Sequence, residues 1–363
     1  MDKLNTLITE IHPVILEDVA TILKNQKIKW DKLRLKTVLI TGATGLIGSY
    51  LVYTLIKLND EQNFNIKILA LSQNRERMEI QFSALKSRED LVLLDADITN
   101  HFDYPSKIHY IIHAASKTNP KTMVDDPVGT ITINAVGTLN LLEYARKNDS
   151  MFLYLSSREI YGDTPSGKDI VDETDCGIID HTNIRACYPE SKRLSETLCI
   201  SYSHQYKVVT KIARLSHSYG PDWHFGRGRV WGEFILNEVQ GKNIILKSTG
   251  QSELAFTYVS DVVSGLFFIL LNSDDTIYNI SDRNGVVKVY ELAEHVSKLH
   301  PERGVSLVFE KDESSYYSTN KTAILNSSKI ESLGWKPKVS LPEGLRRTSE
   351  VFADFLKVQK ESQ

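Results

Sequence analysis

The stretch Lys36-Thr-Val-Leu-Ile-Thr-Gly-Ala-Thr-Gly-Leu-Ile-Gly-Ser49 decides the fold. Its apolar, β-branched run from Val38 to Ile40 predicts a buried strand. The run breaks at Gly42, where a turn is expected, and residues 46–48 open a helix. A strand, a glycine-rich turn and a helix in this order are typical of the first unit of a parallel α/β sheet.

Three glycines in this stretch, Gly42, Gly45 and Gly48, follow a G-x-x-G-x-x-G spacing. Gly42 allows a tight turn, Gly45 lets the backbone approach a pyrophosphate, and Gly48 lets the helix pack on the strand. The unpaired N–H groups at the start of the helix then face the anion. The pattern predicts dinucleotide binding, although glycine turns also join strands to helices for packing alone.

The composition is that of an ordinary globular protein. The chain has 363 residues, 41% hydrophobic and 25% charged, with a net charge of −3. This length suggests two sub-domains, and the charge gives no support for nucleic acid as a partner. No apolar run approaches membrane-spanning length and the N-terminus lacks a signal-peptide pattern, so we expect no membrane contact.

The three cysteines, Cys176, Cys187 and Cys199, are odd in number and show no metal-ligand spacing. We interpret them as reduced thiols and expect a cytoplasmic protein without a metal site.

Strand and helix patterns alternate after the glycine turn, which predicts an α/β protein with a Rossmann-type, doubly wound parallel sheet and a smaller C-terminal substrate-binding α/β part. We expect an N-terminal helical extension over residues 1–34, placed at one edge of the fold. The NAD(P)-binding domain is predicted over 35–215, with a returning segment at about 254–285. The substrate-binding part is predicted over 216–253 and 286–355.

A second motif, Tyr188-Pro-Glu-Ser-Lys192, lies where a helix is predicted. Residues four apart share a helix face, so the Lys192 ammonium is expected to lower the pKa of the Tyr188 phenol and make it a base. Such pairs also occur on solvated helix faces. Ser157 lies at the end of a predicted strand, where ligands of open α/β sheets bind, and its hydroxyl is placed to share a substrate proton with Tyr188.

The order of these motifs resembles that of extended short-chain dehydrogenases/reductases of the NAD-dependent epimerase/dehydratase family. Two stretches, Arg185-Ala-Cys-Tyr-Pro-Glu-Ser-Lys-Arg193 and Gly228-Arg-Val230, most resemble UDP-glucuronate decarboxylases. The resemblance covers about Lys36 to Arg347. It rests further on residues 41–48, 97–98, 113–116, 134–138, 155–162, 214–221, 258–261 and 333–335.

The resemblance implies a catalytic set. Tyr188 is the base that takes a sugar hydroxyl proton, Ser157 hydrogen-bonds the reacting oxygen, and Lys192 holds the cofactor ribose. Glu159 is the further catalytic carboxylate. The implied substrate-binding residues are Thr118, Arg185, His217 and Arg229. The implied cofactor-binding residues are Gly42, Thr44, Gly45, Leu46, Ile47, Gly48, Ser72, Asn74, Arg75, Asp97, Ile98, Ala114, Ala115, Ser116, Tyr188 and Lys192.

The chain departs from the family pattern at the reacting carboxylates. Dehydratases of the family carry Asp-Glu after the hydroxyl residue, whereas this chain has Arg158-Glu159. The missing Asp argues against a standard 4,6-dehydratase, and Glu159 is compatible with decarboxylation. The alternative is that Glu159 is a structural carboxylate paired with Arg158.

Further departures concern the cofactor and the substrate. The end of the second strand has no acid for a ribose 2′-OH, and Arg75 or Arg77 is available for a 2′-phosphate, so NAD and NADP both stay open. His217 replaces an asparagine of the family, and Leu254 replaces an arginine that contacts the diphosphate. We expect His113 to be structural.

The resemblance implies an enzyme that oxidises a nucleotide sugar transiently at C4, followed by decarboxylation or epimerisation. One alternative is an NADPH-dependent reductase of 4-keto nucleotide sugars. A second is a dinucleotide-binding regulator without turnover, against which the intact Ser157, Tyr188 and Lys192 set argues. A homodimer through a four-helix bundle is also implied, formed by the helix at Pro127–Arg146 and the Tyr188 helix of each subunit.

Overall fold

The computed structural model describes residues 10–164, 168, 170–226, 228–310 and 323–361. The strands are β1 Thr37–Thr41, β2 Lys67–Ser72, β3 Leu91–Asp95, β4 Tyr110–His113, β5 Met151–Ser157, β6 Ile170–Val171, β7 Thr210–Leu215, β8 His217–Tyr219, β9 Ile244–Leu246, β10 Glu253–Tyr258, β11 Ile277–Ile280, β12 Val286–Lys288, β13 Leu307–Phe309 and β14 Ile324–Leu325. The helices are α1 Pro13–Leu23, α2 Leu46–Gln62, α3 Arg75–Gln81, α4 Pro120–Asp125, α5 Pro127–Asn148, α6 Cys187–Tyr206, α7 Val230–Val239, α8 Val259–Asn272, α9 Val289–Ser297, α10 Ser328–Ser332 and α11 Leu341–Glu361.

Seven parallel strands form the main sheet in the order β11-β7-β5-β4-β1-β2-β3. From β1 the chain winds outward through β2 to β3, and then returns to β4 on the other side of β1. In sheets of this kind ligands bind beyond the carboxyl ends of the strands, at the point where the strand order reverses. The predicted α/β fold with a doubly wound parallel sheet is confirmed, and the reversal lies between β1 and β4.

The sheet is covered by helices on both faces because its strands are apolar on both sides. Val38 and Ile40 of β1 belong to one core, which also contains side chains of α1, α2 and α8. Leu39, between them, belongs to a second core with side chains of α5 and α6. Side chains alternate across a strand, so the continuous run in the sequence serves both cores.

The N-terminal helix α1 packs against α2 and α8. It begins at Pro13 after His12, whose ring accepts the N–H of Val14, and its buried side is apolar except for Asp18. The segment therefore forms an outer helical layer beside the helix of the glycine turn. Residues 1–9 of the predicted extension lie outside the described residues.

Among the described residues, three small sheets accompany the main one, in the orders β12-β10-β8, β13-β9 and β14-β6. In the first, β8 and β10 are parallel, with His217 opposite Phe256. Residues 311–322 of the predicted substrate-binding part lie outside the described residues. Within the described part of the chain, no helix combines the length and the apolar character needed to cross a bilayer.

Candidate active site

The glycine turn lies at the carboxyl end of β1, beside the loop that follows β4. Gly42 has φ +66°, and a Cβ there would stand 2.8 Å from the backbone of Ala115. Both the dihedral angle and the close approach therefore require glycine. A Cβ on Gly48 would overlap the Gly42 carbonyl oxygen, which explains how closely α2 packs on the turn.

The start of α2 suits an anion. Gly45 is the N-cap residue, and no side chain caps the first turn of the helix. A Cβ on Gly45 would meet only the Gly42 carbonyl oxygen, at 3.3 Å. Leu46 and Ile47 are the first helical residues, so their amide groups have no partner within the helix. This turn is a cradle of the kind that holds a dinucleotide pyrophosphate.

The carboxyl ends of β2 and β3 lie next to this cradle. Thr44 Oγ1 is 3.2 Å from Ser72 Oγ, which ties the turn to β2. Asn74 caps α3 by accepting the N–H of Arg77. Asp97, after β3, accepts two hydrogen bonds from Thr99, and these hold the pKa of its carboxyl below the usual range.

The two arginines that follow β2 point in different directions. Arg75 is exposed and bonded to Glu79 at 2.9 Å. Arg77 donates from Nη2 to the carbonyl oxygen of Thr44 at 3.0 Å and thereby braces the glycine turn. The structure therefore gives each guanidinium a partner in the chain.

The loop after β4 contributes the other wall of the cradle. Ala114 and Ala115 face Gly42, and His113 lies buried below them with Nδ1 2.8 Å from Thr41 Oγ1. Burial, with a smaller contribution from the Lys192 charge, lowers the pKa of His113 to about 3, so the ring is neutral. Its contacts are those of a structural residue, as expected.

The predicted catalytic residues meet at the carboxyl end of β5. Ser157 ends this strand and accepts the N–H of Glu159 at 3.2 Å, and its hydroxyl lowers the pKa of the nearby Tyr188 phenol. Tyr188 and Lys192 lie in the first turns of α6, with Lys192 Nζ 5.8 Å from the centre of the Tyr188 ring. The fold thus brings together a serine, a tyrosine and a lysine beside the glycine cradle.

The electrostatics of Tyr188 differ from the sequence expectation. Burial raises the pKa of its phenol to about 12; Glu159 acts in the same direction, while Ser157, Arg229 and Arg158 lower it. Burial also lowers the pKa of Lys192 to about 7. The Lys192 ammonium donates to the Leu155 carbonyl oxygen at 2.8 Å and lies over the Tyr154 ring. In the protein alone the pKa of Tyr188 is therefore raised and not lowered as expected, because desolvation outweighs the groups that lower it.

A buried amide fixes α6 relative to the loop after β4. Asn134, on α5, accepts from Ser116 Oγ at 2.8 Å and donates to Ser191 Oγ at 2.9 Å. Ser191 in turn donates to the Cys187 carbonyl oxygen, next to Tyr188. Asn134 is fully buried, and a buried amide is retained only when its hydrogen bonds are satisfied. Sequence reasoning gave Asn134 no role; a polar residue at a buried position of a helix was the available signal.

Several charged residues lie close enough to Tyr188 to act on its phenol. Glu159 is paired with Arg185 at 3.4 Å, so the alternative pairing with Arg158 is not what the structure shows. Arg158 is instead directed at His217, with Nη2 2.9 Å from Nε2. Burial lowers the pKa of His217 well below its usual range, and Arg158 and Arg229 lower it further.

Of the two remaining predicted substrate residues, Arg229 lies near this group. Arg229 is the residue before α7, and its charge acts on both Tyr188 and His217. Thr118 is exposed on the loop after β4. In the described part of the chain, no cluster of three His, Cys, Asp or Glu residues is arranged to hold a metal ion.

The family model described as the NAD dependent epimerase/dehydratase family matches residues 38–281, a span from β1 to the end of the main sheet. The chain belongs to this family. The assignment agrees with the resemblance of the motifs and with the glycine cradle at the strand reversal.

Three similar proteins illustrate the range of the family. UDP-glucuronic acid decarboxylase 5 of Arabidopsis thaliana is 30% identical over 339 residues, which is 93% of this chain and 94% of the relative. UDP-glucuronic acid decarboxylase 1 of the same plant is 32% identical over 321 residues, 85% of this chain and 68% of the relative. The solved structure of an epimerase from Methanothermobacter thermautotrophicus is 23% identical, with a TM-score of 0.77, and the alignment covers 96% of this chain and 99% of that one. This last likeness shows the shared fold.

Proposed function

We propose that the protein is an NAD-dependent enzyme that modifies a nucleotide sugar through transient oxidation at C4. The observation that carries this proposal is the convergence of Ser157, Tyr188 and Lys192 beside the glycine cradle. A phenol, a hydroxyl and an ammonium at one strand end suit the removal of a proton from an alcohol. Family membership supports the same chemistry.

The roles of the side chains follow from their contacts. As a phenolate, Tyr188 takes the proton of the C4 hydroxyl, and the Ser157 hydroxyl holds both oxygens in place. Arg158 and Arg229 lower the pKa of Tyr188 and thus favour its anionic form. The cradle of residues 42–48 and the loop of Ala114 and Ala115 would hold NAD, which, when bound, accepts a hydride from C4 and returns it.

The step after oxidation is proposed to be decarboxylation. A ketone at C4 makes the neighbouring C5 able to lose a carboxylate, because the electron pair left behind is delocalised onto the ketone oxygen. The relatives named as UDP-glucuronic acid decarboxylases support this outcome. Glu159, which is paired with Arg185, is the acid–base group available for the proton that is added at C5 when carbon dioxide leaves.

Epimerisation is the second candidate, because the family model that matches residues 38–281 is that of the NAD dependent epimerase/dehydratase family. Leu254 lies on β10, two residues before Phe256, where the family pattern has an arginine that contacts the diphosphate. The diphosphate contact of this chain is therefore built differently from the one that the resemblance implies, whichever reaction follows the oxidation. After oxidation at C4, return of the hydride to the opposite face of the ketone inverts the centre without loss of mass.

The contacts after β2 favour NAD over NADP. Arg75 forms an ion pair with Glu79, and Arg77 donates a hydrogen bond to the Thr44 carbonyl oxygen. A 2′-phosphate would have to compete with both contacts, whereas a 2′-hydroxyl would not.

We further propose a homodimer through α5 and α6. These helices pack against each other and expose large apolar side chains: Val128, Ile131, Val136 and Leu139 on α5, and Leu194 and Ile200 on α6. Contiguous exposed apolar residues mark association surfaces. Leu139→Arg is expected to give monomers in sedimentation analysis, while the matched control Leu333→Arg, outside both helices, leaves dimers. Monomers in the wild type would refute the proposal.

The test is the mass of the product formed from a panel of nucleotide sugars that includes UDP-glucuronate. Loss of carbon dioxide supports decarboxylation, and an unchanged mass with altered NMR couplings supports epimerisation. Loss of water would instead identify the reaction as a dehydration. Consumption of added NADPH with a 4-keto sugar would identify the reductase.

The matched variants are Tyr188→Phe and Tyr110→Phe. Tyr110 is the first residue of β4, at the opposite end of the sheet, and its hydroxyl bonds the Lys32 carbonyl oxygen. Tyr188→Phe is expected to lose activity about 10²–10⁴-fold and to retain cofactor binding, while Tyr110→Phe stays active. Cofactor binding without any product from the panel would support the non-catalytic regulator instead.

A further inference from the structure

Arg158 is a partly buried cation without a carboxylate partner. Its Nη2 lies 2.9 Å from His217 Nε2, and none of the ion pairs found among the described residues includes it; the charge of Glu159 acts on it only at longer range. The nearby Glu159 is bonded to Arg185. A charge that is removed from water is costly unless it is paired, so this guanidinium is expected to meet an anion from outside the chain.

The partner of Arg158 in the chain is neutral. The low pKa of His217 keeps the ring uncharged, so Nε2 accepts the hydrogen bond from Arg158. This contact orients the guanidinium without cancelling its charge. Because an arginine presents five donors in a planar fork, the groups not directed at His217 stay available for an oxyanion.

The location of Arg158 places its charge at the reacting sugar. It follows Ser157 directly in the chain, and its charge lowers the pKa of Tyr188. Both neighbours are the residues proposed to hold the C4 oxygen. A ligand group that meets Arg158 therefore belongs to the hexose ring or to a group attached to it.

The same region lacks the arginine that, in the pattern implied by the resemblance, contacts the diphosphate. His217 lies opposite Phe256 in the β8–β10 ladder, and Leu254 lies two residues earlier on β10. Alternate residues of a strand share a face, so Leu254, Phe256 and His217 lie on one side of this small sheet. Arg158 follows β5 and contacts His217 on that side of the sheet, so a cation is present there although Leu254 is not one.

We propose that Arg158, oriented by His217, binds an anionic substituent of the hexose, and that the protein therefore selects nucleotide sugars whose ring carries a carboxylate. This inference rests on the proposed function, because it takes Tyr188 and Ser157 as the residues at C4. A carboxylate matches the guanidinium fork, which can bind its two oxygens together. The substrate diphosphate is the other source of oxyanions, and the test separates the two.

The test measures binding of UDP-glucuronate, UDP-glucose and UDP by calorimetry with NAD present. All measurements use the Tyr188→Phe background, so that turnover does not interfere and the result does not depend on the reaction that follows. The two sugars differ only at C6, which is a carboxylate in the first and a hydroxymethyl group in the second. The added variants are Arg158→Gln, Arg158→Lys and, as a matched control for the loss of an arginine, Arg346→Gln on the exposed surface of α11, where it pairs with Glu343 and Glu350.

UDP-glucuronate is expected to bind at least about 10-fold more tightly than UDP-glucose, as a hydrogen bond to a charged group allows. Arg158→Gln should abolish this preference and leave the UDP affinity unchanged, which also shows that the variant is folded. Arg158→Lys should keep part of the preference, and Arg346→Gln all of it.

Three results would overturn the inference. Equal affinity of the two sugars for the protein with Arg158 intact would show that the protein does not recognise the carboxylate. A preference that survives Arg158→Gln would assign it to another residue. An equal loss of affinity for UDP and for both sugars would place Arg158 at the diphosphate. The proposed function is judged separately, by the product of the enzyme with Tyr188 intact.

Discussion

The buried carboxylate of Asp18 gives a pH-dependent stability that can be calculated. Asp18 accepts the hydroxyl groups of Tyr50, at 2.9 Å, and Tyr258, at 2.7 Å, and pairs with Arg347 at 3.1 Å. It thereby joins α1 to α2, to the end of β10 and to α11. Burial raises its pKa from 3.8 to about 6, although the two tyrosines and Arg347 act in the opposite direction. The perturbation is Asp18→Asn.

The magnitude follows from linkage between proton binding and folding. Because the pKa of Asp18 is raised in the folded protein, the folded state binds more protons than the unfolded state between about pH 4 and pH 6. The stability that this proton supplies is present at low pH and is lost as the pH rises through 6. With pKa values of about 6 and 3.8, the free energy of unfolding is higher at pH 5 than at pH 7 by about 1.3 kcal/mol from this group.

The assay is urea denaturation followed by circular dichroism at pH 5 and pH 7. Asp18→Asn lacks the titrating group, so its free energy of unfolding relative to the wild type should fall by about 1.3 kcal/mol more at pH 5 than at pH 7. Asp31→Asn, which removes an exposed carboxylate nearby, is the matched control for the loss of one negative charge. A difference between wild type and Asp18→Asn that is the same at both pH values, or larger at pH 7, would refute the reasoning.

Three more predictions concern the site. Gly48→Ala forces a Cβ against the Gly42 carbonyl oxygen, so unfolding should be easier by about 1–3 kcal/mol and NAD binding weaker; unchanged NAD affinity in calorimetry would contradict this. Arg77→Gln removes the hydrogen bond to the Thr44 carbonyl oxygen and should weaken NAD binding. Arg75→Gln should leave the ratio of NAD to NADP affinity unchanged. A selective loss of NADP binding in Arg75→Gln would show that Arg75 binds a 2′-phosphate. Asn134→Ala removes the hydrogen bonds to Ser116 and Ser191 and should lower kcat much more than NAD affinity. Equal losses of the two would show that Asn134 does not position the catalytic residues of α6.

The sequence was sufficient for the features that local chemistry determines. Gly42 and Gly48 were assigned to a turn and a packing contact from spacing alone, and the structure shows a positive φ at the first and a backbone contact at the second. Ser157 and Tyr188 could be placed because strand ends and helix starts are marked by their neighbours. Continuous apolar runs identified the parallel strands, because both of their faces are buried.

The contacts that the sequence left open depend on distant residues or on burial. The sequence suggested Arg158 as the partner of Glu159 because the two residues are adjacent, whereas in the structure Glu159 pairs with Arg185. The pKa of Tyr188 was expected to fall, since helix spacing shows the lysine but not the desolvation. Asp18 joins elements separated by more than 300 residues, and no pattern within α1 indicates its partners.

The central claim, that C4 is oxidised and reduced within one turnover, is tested most directly with a nucleotide sugar deuterated at C4. The enzyme would be incubated with C4-deuterated UDP-glucuronate in ordinary water, and the deuterium content of the product measured by mass spectrometry and NMR. The account predicts that deuterium is kept at C4 of the product, because it is removed and returned within the closed site, and that Tyr188→Phe forms little product. A product that has lost its deuterium from C4 would contradict the account.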